Sequence, residues 1–212
     1  MENIITVNNV TKTFGRDTVL HDVTVQFERG KIHGLVGRNG SGKTVLLKCI
    51  CGFIAPTEGS IRVRNKVVGR DEQVPENLCG IIETPGFLPG YSGYSNLKFL
   101  ASIQNKINRK QITDALDMVG LDPCCKKRVG KYSLGMRQRL GIAQAIMEDP
   151  EILILDEPMN GLDNRGVEDM RILFKRLRDE GKTILLASHN PSDIEMLCDT
   201  VSEMDAGFLT RM

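Results

Sequence analysis

The chain of 212 residues is 41% hydrophobic and 26% charged, a balance that supports a buried core and excludes a disordered segment or a simple coiled coil. A formal net charge of +1 gives no basic field for nucleic acid or for an anionic membrane surface. No apolar run reaches bilayer length, and Met1-Glu2-Asn3-Ile4-Ile5-Thr6 lacks the basic and apolar regions of a signal peptide, so a cytosolic location is expected. Cys49, Cys51, Cys79, Cys124, Cys125 and Cys198 show no zinc-ligand spacing and read as reduced thiols among small hydrophobes.

Taken in order, the N-terminal stretch favours strands. Val23, Val25 and Phe27 alternate with Thr24, Gln26 and Glu28, the period of a half-buried strand. Phe14 precedes the turn Gly15-Arg16; its spacing suits a core position, and an aromatic there also suits stacking on a base. Ile32 to Val36 is a short apolar strand ending in Gly37-Arg38-Asn39-Gly40-Ser41-Gly42-Lys43-Thr44, after which Val45, Leu46, Leu47 and Ile50 continue as a helix closed by Gly52. A strand is expected at Ser60–Arg64, and another at Leu78–Ile82 that delivers Glu83 at its carboxyl end. From Thr84 to Lys131 prolines and glycines give way to helical stretches at Asn96–Ile107, with Leu97, Leu100 and Ile103 on one face, and Gln111–Val119. Ser133 caps a further helix ending near Asp149-Pro150. The apolar strand Ile152–Leu155 runs into Asp156-Glu157. A helix over Arg165–Glu180 and a strand over Thr183–Ala187, ending in Ser188-His189, follow. Val201–Met204 and Phe208–Thr210 read as an edge hairpin.

Strands alternating with helices imply an α/β fold with a mostly parallel sheet flanked by helices, preceded by an antiparallel β region. The expected division is a core of residues 1–83 plus 149–212 and a helical subdomain of residues 84–148, together forming one domain.

The strand–glycine loop–helix at 32–50 is the context of a phosphate-binding loop. Glycines let successive N–H groups converge on an anion, the helix N-terminus adds its dipole, Lys43 reaches the outer phosphates and Thr44 offers a hydroxyl to Mg²⁺. Asp156 at a strand end matches the aspartate that holds Mg²⁺ in such sites, Glu157 is placed to accept a proton from water, and His189 ends the neighbouring strand.

The ordered set Gly37–Thr44, Tyr132-Ser133-Leu134-Gly135-Met136 with Arg137-Gln138-Arg139-Leu140, Ile152–Glu157, Asn160-Gly161-Leu162-Asp163 and His189 resembles the nucleotide-binding subunit of an ATP-binding cassette (ABC) transporter, from Ile4 to about Leu209. The resemblance implies an ATPase that uses ATP and Mg²⁺. Gly37, Arg38, Asn39, Gly40, Ser41, Gly42, Lys43 and Thr44 would wrap the phosphates, and Thr44, Glu83 and Asp156 would serve the metal. It implies Glu157 as general base, His189 as γ-phosphate sensor and Phe14 as adenine platform. It implies a head-to-tail dimer, of identical or different subunits, in which Ser133 and the Gly135 N–H of one subunit meet the γ-phosphate held by Lys43 of the other, and Asp163 communicates across the interface. A separate transmembrane permease would hold the chain peripherally at the inner face of the membrane, with Phe87-Leu88-Pro89-Gly90-Tyr91 either meeting it or packing the insertion's own core.

Leu134 and Met136 depart from the family's usual glycine and glutamine, and Glu83 from its usual glutamine. The last adds a charge to a site holding Asp156 and Glu157. Glutamate there, with Tyr-Ser-Leu-Gly-Met, is similar to exporters that confer self-immunity to lantibiotics or resistance to bacitracin-like peptides. The alternatives are an ABC ATPase without a permease, of the cofactor-assembly type, and a phosphate-loop kinase.

Overall fold

The computed structural model describes residues 2–83 and 86–212; Met1, and Thr84 and Pro85 at the expected opening of the helical subdomain, lie outside the described residues. Two sheets organise the chain. Strands β1 (Asn3–Phe14) and β2 (Asp17–Glu28) form a long hairpin, joined by β4 (Glu58–Val63) and β5 (Lys66–Val67) in the antiparallel order β2-β1-β4-β5. The alternation is realised: Val23, Val25 and Phe27 are buried while Thr24 and Gln26 face solvent. The turn from β4 to β5 uses Arg64 and Asn65, both at positive φ (50° and 67°), as a tight two-residue hairpin requires. Strand β5 is too short to leave a periodic signal.

The second sheet has the order β10-β9-β3-β8-β7-β6. Its members are β3 (Ile32–Val36), β6 (Leu78–Ile81), β7 (Ile152–Asp156), β8 (Thr183–Ser188), β9 (Thr200–Asp205) and β10 (Phe208–Arg211). All are parallel except β10, which forms the expected edge hairpin with β9. Because side chains alternate across a strand, β7 feeds two cores. Ile152 and Ile154 join Leu46, Leu47 and Ile50 of α1 (Lys43–Ile50) and the first sheet. Leu153 and Leu155 join Met170 and Phe174 of α5 (Asn164–Asp179) and Ile194 of α6 (Pro191–Leu197).

Between β6 and β7 lie α2 (Gly93–Gln104), α3 (Arg109–Met118) and α4 (Leu134–Ile146), packed through Leu97, Ile112, Leu116 and Leu140. Helix α2 starts three residues before the expected Asn96. Ser92 is its N-cap, accepting from the Ser95 N–H, and Asn105 stops it at φ 52°. Asn96 is instead a buried bracket: its Oδ1 accepts from Leu88 N–H at 2.8 Å, and its Nδ2 donates to Leu88 O at 3.2 Å and Ser92 O at 2.9 Å. Ile103 does not face the core as expected but is exposed, because Leu97 and Ala101 carry the buried face. Helix α4 ends at Ile146, before the expected Asp149-Pro150. Cys124 is exposed rather than a buried hydrophobe, while Cys49 and Cys51 are buried.

Candidate functional site

The parallel strands bring their carboxyl ends to one edge, and the functional side chains gather there. The loop after β3 turns sharply at Gly37, φ 153°, where an added Cβ would lie 2.2 Å from Met204 O; only glycine fits. Lys43 begins α1 and is buried, its Nζ donating to Gly37 O at 2.7 Å and Arg38 O at 3.1 Å. Thr44 Oγ1 donates to Asp156 Oδ2 at 2.7 Å across 112 residues of sequence. A cavity of about 520 Å³ is lined by Asn39, Gly40, Ser41, Gly42, Lys43 and Thr44 together with Glu83, Asp156 and Glu157.

Two buried polar atoms on this wall carry no hydrogen-bond partner, Ser41 Oγ and Glu157 Oε1. His189 Nδ1 lies 2.8 Å from the same Glu157 oxygen, at ion-pair distance but without the alignment of a donated hydrogen bond. An orphaned hydroxyl in a glycine-rich cradle at a helix N-terminus fits a phosphate. A hydroxyl beside one buried carboxylate, with a second acid on the same cavity wall, fits Mg²⁺, which takes one or two carboxylates and completes its shell with phosphate and water. Among the described residues there is no cluster of three or more His, Cys, Asp or Glu side chains that would hold a metal alone.

Glu157 and Glu83 both adopt left-handed backbone, φ 51° and 64°. Glu83 is largely exposed, and Lys48 Nζ donates to its Oε1 at 2.6 Å. Gly37, Arg38 and His189 line an adjoining cleft with Asn39, Pro191 and Glu203. Ser133, Gly135 and Asp163 line a third cleft on the far side of Leu134, a residue that borders both it and the phosphate cavity. Ser133 is the N-cap of α4, accepting from Met136 N–H at 3.2 Å, and Asp163 is the N-cap of α5, accepting from Gly166 N–H at 2.9 Å. Phe14 lies outside these cavities at the tip of the β1–β2 hairpin. It is half-exposed, not in the core that its spacing suggests, and Lys12 Nζ sits 4.8 Å from its ring centre.

Sequence reasoning gave no role to Val19, Lys48, Arg137, Gln138 or Asn160. All but Lys48 line the phosphate cavity, and Gln138 Nε2 reaches Glu157 O at 3.4 Å. Arg137, Gln138 and Asn160 lie inside or beside the quoted motifs, which was the available signal; Val19 and Lys48 have none.

A phosphate loop at the end of a parallel strand, with an aspartate and a glutamate in succession at the end of another strand of the same sheet, is the arrangement of a P-loop nucleoside triphosphatase. The ABC transporter family model matches residues 20–160. The chain is 43% identical over 206 residues to an uncharacterized ABC transporter ATP-binding protein of Bacillus subtilis, covering 97% of this chain and 94% of that protein. It is 42% identical over 213 residues to the bacitracin transport ATP-binding protein of Enterococcus faecalis, covering 100% of this chain and 69% of that protein. The fold matches a bacterial ABC transporter cassette solved as a dimer, with a TM-score of 0.88 at 24% identity, over 98% of this chain and 97% of that one. The chain belongs to the ABC transporter family and is an ATP-binding ATPase of it.

Proposed function

We propose that this chain hydrolyses Mg²⁺·ATP to drive a membrane exporter, and that its three clefts are parts of two composite sites completed by a second ATPase subunit. The observation that carries this is the meeting of three pairs of groups at one sheet edge: the cradle with its unpartnered Ser41 hydroxyl, Thr44 with Asp156, and Glu157 with His189.

The loop from Gly37 to Thr44 binds the phosphates through its N–H groups and Lys43. Thr44 and Asp156, with Glu83 opposite, would hold Mg²⁺, which neutralises charge on the phosphates when bound. Glu157, on the cavity wall, takes the proton of the attacking water. His189, beside its Oε1, orients the carboxylate and senses the terminal phosphate. Phe14 offers the base a ring face. Ser133 and Gly135 stand at the N-terminus of a second helix, where an anion is again favoured, and they complete the partner's site with Asp163 beside them. The core of residues 1–83 and 149–212 carries the phosphate loop, and residues 84–148 carry the Ser133 helix.

Among the described residues no helix is long and apolar enough to cross a membrane, and a separate permease would supply the path. Leu88 and Tyr91 are half-exposed, and Tyr91 stacks edge-on against exposed Phe99 at 5.1 Å; this apolar surface suits that partner. Phe87 instead packs on the helical core. The likeness to the bacitracin transport protein supports an antimicrobial peptide as cargo.

Glu157→Gln should lower kcat by about 10²- to 10⁴-fold, the usual contribution of a general base, while nucleotide affinity is retained. Near wild-type turnover in that variant would remove Glu157 from the chemistry. Tagged chain recovered from solubilised membranes should bring a polytopic membrane protein in near-equal amount. Recovery of soluble partners alone would favour the assembly-type ATPase.

A further inference from the structure

Glu83 carries a charge that a glutamine would not, and one side chain answers it. Lys48, in the last turn of α1, donates to Glu83 Oε1 at 2.6 Å. Glu83 is also one of the residues lining the cavity shared with Asp156, Glu157 and Thr44. Its backbone is left-handed, φ 64°, so the direction of the side chain is set by an uncommon local geometry rather than by a continuing strand. Lys48 is anchored differently: it belongs to the helix that starts at Lys43, so it moves with the phosphate loop, and its charge is favoured at a helix C-terminus.

We propose that Lys48 is a positioning residue that holds the Glu83 carboxylate at the cavity wall and competes with Mg²⁺ for it, so that the Lys48–Glu83 pair sets how much metal the site requires. The proposal rests on the reading of Glu83 as a metal-side residue. The pair is half-exposed, and such pairs are weak enough to exchange. A glutamine at this position would neither need the lysine nor compete through it. Glutamate thus makes the metal demand of the phosphate cavity depend on a residue of α1, and a displacement of the segment after β6 would register at both.

The test is equilibrium binding of a fluorescent ATP analogue to the full chain across a Mg²⁺ titration, which needs no turnover. Lys48→Gln should lower the half-saturating Mg²⁺ concentration by about two- to fivefold, the range open to an exposed pair, and should weaken binding in the absence of metal. Lys48→Arg should restore wild-type behaviour. Glu83→Gln should shift the Mg²⁺ midpoint by itself, and adding Lys48→Gln to it should change nothing further. Equal shifts from Lys48→Gln in both backgrounds would overturn the proposal, as would no shift in either. A Glu83→Gln variant with an unchanged Mg²⁺ midpoint would instead show that Glu83 does not serve the metal, and the proposal would fall with that reading.

Discussion

Of the four acids with left-handed backbone among the described residues, Glu83 and Glu157 sit where strands β6 and β7 break off. Non-glycine residues pay of order 1–3 kcal/mol for such conformations and keep them where surrounding structure enforces them. For Glu157 that enforcement includes its N–H donating to Ala187 O at 2.9 Å, which ties it to β8. A second enforced group is His33, buried on β3 between Thr200 Oγ1 at 2.7 Å and Glu28 O at 2.8 Å. Burial pushes its pKa below the usual 6.5, against the hydrogen bond to Glu28 O, which raises it. Between the folded and unfolded pKa values the unfolded chain binds more protons, so His33 stabilises the fold above pH 6.5 and that stabilisation is lost as pH falls toward its folded pKa. Urea midpoints at pH 7.5 and 5.5 should therefore fall for the wild type and fall less for His33→Gln; identical pH dependence in both would contradict this. Among the thiols, burial lifts Cys49 to about 11 and Cys51 and Cys198 to about 12. A thiol reagent should modify exposed Cys124 in the native protein and reach buried Cys49 and Cys51 only on unfolding, as mass spectrometry of the labelled chain would show. The identities of Asp156 and Glu157 were readable because an acid pair ending an apolar strand is visible in sequence. Their backbone geometry was not, since an acid in left-handed backbone leaves no local pattern.

At the level of helices and strands, what was readable followed burial. Strands β7 and β8 are buried along their whole length and announce themselves as apolar runs, and the β1–β2 hairpin alternates. Leu97, Leu100 and Ile103 place helix α2 but not its start, because the apolar spacing begins only at Leu97, after the first turn that Ser92 caps. Asn96 is used up in fixing the loop at Leu88, a tertiary role with no periodic signature. Asn96→Ala should cost about 1–3 kcal/mol in urea unfolding, since Leu88 N–H loses its acceptor. It should also weaken co-purification of the proposed permease, because the same loop presents Leu88 and Tyr91. Unchanged stability would mean that solvent replaces the bracket.

For the molecule as a unit, the parallel sheet does the assembling: four motifs spread over 150 residues of sequence converge because β3, β6, β7 and β8 end at one edge. The motif order made the family legible, and with it the sheet. The place of Val19 at the cavity and of Lys48 beside Glu83 was not legible, because both depend on how α1 and the first sheet lean on the second. The Ser133–Gly135–Asp163 cleft is separate from the phosphate cavity, and in the proposed head-to-tail pair each would face its complement on the partner. The most direct measurement is the solution mass of Glu157→Gln by light scattering, with and without Mg²⁺·ATP. Nucleotide addition should shift the mass from monomer to twice the chain mass, and Gly135→Asp should reverse that shift. A variant that binds ATP yet stays monomeric at every protein concentration tested would contradict the proposed pairing.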